Sequence, residues 1–170
     1  MAGDFLLILG VDPGLATIGF SIVAKEGNRF DVLEYGVIKT SSDKTDVERL
    51  KIIYRNLTEL IDEYKPDQMA VEELFFNKNV KTAIIVGQAR GVILLAGAES
   101  NIPVAEYTPL QIKQAVVGYG RADKNQVQQM VKNLLNLSEI PRPDDAADAL
   151  AIAVCHGHVY SAKSRWSESL

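Results

Sequence analysis

An unbroken apolar run, Phe5 to Leu9, leads through Gly10-Val11 into Asp12-Pro13-Gly14. A run this short, bounded by turn residues, reads as a strand covered on both faces. Such a strand requires layers above and below it, which a lone hairpin or a bare sheet cannot supply. Asp12 then closes a buried strand. A carboxylate there is costly unless a cation or hydrogen-bond donor meets it. Pro13-Gly14 turns the backbone just beyond it. Taken alone, the stretch equally describes an aspartate that caps a turn.

The rest of the chain supplies the layers. Thr17–Lys25 alternates through Ile18, Phe20, Ile22 and Ala24, and Glu26-Gly27-Asn28 is a tight turn into a third strand, Phe30–Thr40. Asp46–Tyr64 has helical spacing in Val47, Leu50, Ile53, Leu57 and Ile61, and Lys65-Pro66-Asp67 stops it. A short strand, Gln68–Glu72, precedes a long apolar helix over Val80–Glu99, in which Gly87 and Gly91 lie one turn apart and permit close approach of the sheet or of a second subunit. Pro103–Ala105 reads as a strand, and Pro109–Val117, Lys124–Leu137 and Asp144–Tyr160 as helices. Asp123 and Gln126 have the spacing of a capping box. The order βββ-α-β-α-β-α-α-α predicts an α/β fold, a mixed central β-sheet flanked by α-helices. No linker divides it, so residues 1–160 form one expected domain and the polar tail 161–170 an expected frayed end.

Composition narrows the setting. The single cysteine, Cys155, excludes an internal disulfide and a cysteine-rich zinc site, and fits a reducing cytoplasm. The Phe5–Leu9 run is too short to span a bilayer and no basic segment precedes it, so neither a signal peptide nor a membrane partner is expected. His156 and His158 lack other nitrogen or sulfur partners nearby in sequence and read as helix-end residues. The net charge of −4 is unevenly spread: residues 1–74 hold 14 acids and 8 bases, whereas residues 75–135 hold 3 acids and 7 bases. A basic middle between acidic ends suits an anionic partner, and a solvated surface has the same statistics.

Three elements end or begin in carboxylates: Asp12, the pair Glu72-Glu73, and Asp144, Asp145 and Asp148. Strand neighbours face opposite ways, so only one of Glu72 and Glu73 can share Asp12's face. Asp145 and Asp148, three apart, share a helix face. First-turn acids also stabilise a helix through its dipole, which accounts for the last group but not for Asp12 and Glu72. If the first and fourth strands are adjacent, four acids crowd one site and raise one another's pKa values. A divalent cation with hard oxygen ligands resolves the crowding, and two such ions can activate water in phosphodiester cleavage.

Gly10-Val11-Asp12-Pro13-Gly14, Val71-Glu72-Glu73-Leu74-Phe75-Phe76, Gly87-Gln88-Ala89-Arg90-Gly91 and Asp145-Ala146-Ala147-Asp148-Ala149-Leu150 resemble the RuvC family of Holliday-junction resolvases, over about residues 5 to 160. The resemblance implies a ribonuclease H-like fold, a homodimer, and Mg²⁺-dependent nicking of opposed strands of a four-way DNA junction, with Mn²⁺ as a substitute ion. It places the family's four metal-binding catalytic acids on Asp12, Glu72, Asp145 and Asp148. It places the junction-contacting aromatic on Phe75 and the functional lysines on Lys113 and Lys124, the latter also catalytic. It further suggests a branch-migration motor as partner. The sequence departs from the family pattern in an extra Asp144; Asp145 keeps the three-residue spacing to Asp148. Lys78, Lys81, Arg90 and Arg121 complete the expected DNA-binding set from the basic middle. Phe75 can also be a core residue after a strand, and Lys124 an ordinary first-turn lysine, although it is poorly placed for the helix dipole. Two other readings are a nucleic-acid-binding module of the same fold that does not cut, and a phosphate loop of an actin-like sugar kinase, which would need two such domains.

Overall fold

The computed structural model describes residues 5–73 and 79–167, with side chains followed to residue 162. The strands are β1 (Phe5–Asp12), β2 (Thr17–Glu26), β3 (Arg29–Lys39), β4 (Gln68–Glu72) and β5 (Val104–Tyr107), in one sheet ordered β3-β2-β1-β4-β5. β1, β2 and β3 pair antiparallel, whereas β4 runs parallel to β1, and β5 parallel to β4. The sheet is therefore mixed, as the order of elements requires. A two-residue turn joins Glu26 to Arg29, and Gly27 takes the positive φ of 57° that such a turn demands.

The helices are α1 (Asp46–Tyr64), α2 (Val80–Glu99), α3 (Pro109–Val117), α4 (Lys124–Leu134) and α5 (Asp144–Ser167). Their starts follow local chemistry. Thr45 with Glu48, Thr108 with Gln111, and Asp123 with Gln126 each form a capping box that satisfies the first free backbone N–H groups.

The two faces of the sheet differ in side-chain size, and this difference positions the functional site. One face carries Leu7, Leu9, Val11, Ile18, Phe20, Ile22, Met69 and Val71, and it packs against Ile53, Leu57 and Ile61 of α1 and Ala89, Ile93 and Ala96 of α2. The other face is stripped to small residues along its centre: Gly10, Gly19, Ser21 and Ala70. Onto it α5 settles through Ala146, Ala149, Leu150 and Ala153, all fully buried. A Cβ on Gly10 would collide with the carbonyl oxygen of Ala149 and the Ser21 hydroxyl, and one on Gly19 with the carbonyl oxygen of Asp145. The Ser21 hydroxyl donates to the Ala149 carbonyl at 2.9 Å. Backbone thus meets backbone, which brings the first turn of α5 close to the end of β1.

Several expectations are corrected. α5 runs past Tyr160 to Ser167, because Val159 and Tyr160 still pack on the core and no glycine or proline follows. His156 and His158 therefore lie inside the helix. His156 is buried between Tyr107 and Gln68, with a hydrogen bond of 2.7 Å to each, and His158 meets the Ala115 carbonyl at 3.0 Å. α4 stops at Leu134, where Asn136 adopts a left-handed conformation and the Leu137 amide donates back to the Lys132 carbonyl. β5 begins one residue and ends two residues later than expected, extended by its pairing to β4 up to Tyr107.

Candidate active site

Register brings the first two acids together. Val11 lies opposite Val71 in the parallel β1–β4 pair, so the next residues, Asp12 and Glu72, end their strands side by side. Alternation along each strand puts Asp12 with Ile8 and Gly10, and Glu72 with Ala70, on the α5 face. Glu73 falls beyond the strand, its backbone N–H donating to the Tyr107 carbonyl at 2.8 Å. Gly19, the cross-strand partner of Asp12, is the residue pressed against the Asp145 backbone. The close approach of α5 to β2 is thus what delivers Asp145 to Asp12, and Asp148 follows one turn along the helix.

The electrostatics record the crowding. Asp12 is pushed from 3.8 up to about 8, first by burial and then by the charges of Glu72, Asp148 and Asp145, with Lys124 pulling the other way. Burial and Asp148 raise Glu72, against a hydrogen bond from Asp12 and the charge of Lys113. Burial also raises Asp148, opposed chiefly by Lys124. Without a counter-ion the crowding favours the protonated form of Asp12.

A cavity of about 250 Å³ opens beside these acids, lined by Glu72, Lys113, Lys124 and Asp148 over an apolar floor that includes Ile112 and Ile152. Lys124 Nζ lies 3.0 Å from Asp144 and 3.8 Å from Asp148. Asp144 has partners of its own, although its charge still raises Asp148. It accepts from Gln128 and Arg142 as well as Lys124, and these partners hold its carboxyl below the usual range, Lys124 foremost. The acids that act on Asp12 are Glu72, Asp148 and Asp145; Asp144 acts on Asp148 instead.

The expected basic set divides. Lys113 and Lys124 reach the cavity. Lys81 and Arg121 are exposed. Arg90 is ion-paired with Glu106 of β5, its side chain only 20% exposed. Phe75 and Lys78 lie outside the described residues. Sequence reasoning missed Gly10, Gly19 and Ser21, which touch no ligand but set the α5 approach. Their one signal is the small-residue parity, Gly10 in one strand and Gly19 and Ser21 in the next.

The donor set fits a divalent metal: half-buried carboxylate oxygens only, with Asp12, Glu72 and Asp148 raised first by burial and then by one another's charge, a cost that a multivalent cation relieves. Among the described residues no three acids close on one point as a finished cage.

A mixed sheet whose adjacent parallel strands and overlying helix converge their acids in one pocket defines the ribonuclease H-like class of folds. Residues 8–156 match the family model for the crossover junction endodeoxyribonuclease RuvC. A crossover junction endodeoxyribonuclease of Halothermothrix orenii is 62% identical over 161 residues, covering 95% of this chain and 98% of its own. The Thermus thermophilus RuvC structure is 39% identical with a TM-score of 0.87, covering 92% of this chain and 96% of its own. The T. thermophilus protein in complex with a Holliday junction substrate gives a TM-score of 0.88 at the same identity, covering 91% and 94%. The chain belongs to the RuvC family of crossover junction endodeoxyribonucleases.

Proposed function

We propose that this chain is a structure-selective endonuclease that resolves four-way DNA junctions in recombination and repair by paired, symmetric, metal-dependent nicks. The observation that carries the reading is the convergence of Asp12, Glu72, Asp145 and Asp148 beside a cavity that also presents Lys113 and Lys124. Asp12, Glu72, Asp145 and Asp148 would hold the ions, Mg²⁺ with Mn²⁺ as substitute, which supply a water of lowered pKa and neutralise charge on the scissile phosphate. Asp12 is central, being coupled to the other three, and its ionised form is the ligand. Lys124 and Lys113 place fixed positive charge where a phosphate enters, favouring the backbone strand and the charge that develops on it. Exposed Lys81 and Arg121 add phosphate contacts at longer range. Phe75 supplies the stacking surface for a base opened at the crossover.

A homodimer completes this reading. α2 is apolar on two faces. Ala89, Ile93 and Ala96 are buried in the core, whereas Val80, Ile84 and Leu95 are 70%, 58% and 50% exposed along the other side. Gly91 on that stripe has nothing within reach, and Gly87 lies a turn earlier. The helix is long and apolar enough to cross a membrane by length and composition alone, but one side is already in a protein core. A second copy packed across the glycines would cover the stripe and present two equivalent sites to a two-fold substrate.

The test is cleavage of an end-labelled junction with a fixed crossover, compared with plain duplex, with Mg²⁺ and with EDTA. Paired nicks on opposed strands of the junction alone, lost in EDTA, are expected. Tight binding without nicks in any divalent ion would make the chain a binding module instead.

A further inference from the structure

We propose that Asp144 is a positioning residue for Lys124, holding the ammonium at the mouth of the acid pocket while keeping it off Asp148. The inference rests on the nuclease reading above. Asp144 opens α5 one residue before Asp145 and has its own set of donors. Its Oδ2 meets Lys124 Nζ at 3.0 Å, and its Oδ1 accepts from Arg142 Nη1 at 2.7 Å and Gln128 Nε2 at 3.1 Å. Donors from two positions on α4 and from the residue two before Asp144 thus fix one carboxylate in place. Lys124 is left 3.8 Å from Asp148, at the limit of an ion pair.

Lysine is a point charge on a flexible four-carbon stem, and it goes to the strongest anion it can reach. Remove Asp144 and the next anion is Asp148. A lysine seated there occupies an oxygen that a divalent ion needs and cancels the charge that attracts it. Asp144 gives the ammonium a competing, better-supported partner on the outer side. It also offsets the cost of a cation in the first turn of α4, where the helix dipole is unfavourable. The lysine stays near enough to meet a phosphate and the pocket stays anionic.

The full-length protein would be compared with Asp144→Ala, Asp144→Asn and Asp144→Glu, each also made with Lys124→Ala. Mg²⁺ binding is read by titration calorimetry without DNA. Cleavage is read in single turnovers across a Mg²⁺ series, and junction binding in EDTA. A competitor seated on one ligand oxygen changes the affinity for the ion by about 10-fold, within the usual range of coupling between two sites. Asp144→Ala is therefore expected to weaken Mg²⁺ binding and to move the cleavage curve to higher Mg²⁺ by about 10-fold, with junction binding held within about 2-fold. Asp144→Glu restores most of the loss. With Lys124→Ala present, Asp144→Ala has no further effect on Mg²⁺ affinity, because the competing lysine is gone. Unchanged Mg²⁺ affinity in Asp144→Ala, or an equal loss with and without Lys124, overturns the proposal. Asp144→Asn, which keeps the shape but loses the charge and one of the two acceptor oxygens, gives the same decision should the alanine variant not fold. A wild-type protein that binds Mg²⁺ but never nicks a junction overturns the nuclease reading and leaves the calorimetric arm to decide on Asp144.

Discussion

Replacing Asp12 with asparagine should make the metal-free protein more stable, and increasingly so as the pH rises. In the folded chain Asp12 holds its proton up to about pH 8, whereas an unfolded aspartate releases it near 3.8. Between those values the native state carries one proton more than the unfolded state, so stability falls with pH, by about 1.4 kcal/mol per pH unit for one full proton. The loss begins near the lower value and is complete above the upper one. From about pH 5 to about pH 7.5 the ideal difference between Asp12→Asn and wild type grows by about 3 kcal/mol, and water reaching a partly exposed carboxyl cuts this to about 1.5 kcal/mol. Comparing the variant with wild type removes the titration of Asp12 together with its coupling to Glu72 and Asp148, so the difference belongs to the coupled acids. Urea unfolding in EDTA at the two pH values measures it. Saturating Mg²⁺ should narrow the gap, because ions that bind only the folded wild type stabilise it by mass action. A gap of equal size at both pH values would show that Asp12 is ionised in the free protein and that the acids do not crowd. The same variant should bind a junction and fail to cut it.

Gly19→Ala drives a methyl into the Asp145 carbonyl; it should cost about 1–3 kcal/mol in urea unfolding and abolish cleavage more completely than it lowers stability. Ile84→Glu places a charge on the exposed stripe of α2; sedimentation should show monomers, and the paired nicks should become unpaired. Tyr107→Phe removes the hydroxyl that meets His156; it should cost about 1–2 kcal/mol while leaving the cleavage rate unchanged, since the bond lies in the core behind the sheet edge. Lys113→Ala should weaken junction cleavage and flatten its salt dependence, and an unaltered salt slope would remove Lys113 from phosphate contact.

Much of the scaffold was legible because its signals are local. Strand alternation, the Gly27 turn and the boxes at Asp123 and Thr108 are set by residues within a few positions of one another. The acids were legible as a set because three chain-distant elements each place a carboxylate at a terminus, a pattern that folding alone does not favour. What could not be read were distances set by tertiary contact. Arg90 counts as a free cation in sequence, yet from α2 it pairs with Glu106 of β5. His156 looks like a helix end, yet α5 continues because its last turns still find a core to pack against. Asp144 and Asp145 are chemically identical neighbours. Only the backbone of Gly19 and the three donors around Asp144 tell them apart.

The unequal faces of the sheet also fix how indels in β4 must behave. A slip of one residue in the β1–β4 ladder would slide Glu73 into the place of Glu72 and appear to preserve the chemistry. It would also turn Met69 and Val71 toward α5, against a strip that has room for glycine and alanine only. The site and the packing therefore share a single alignment. A one-residue deletion before Glu72 should give an unfolded chain rather than a weakened nuclease.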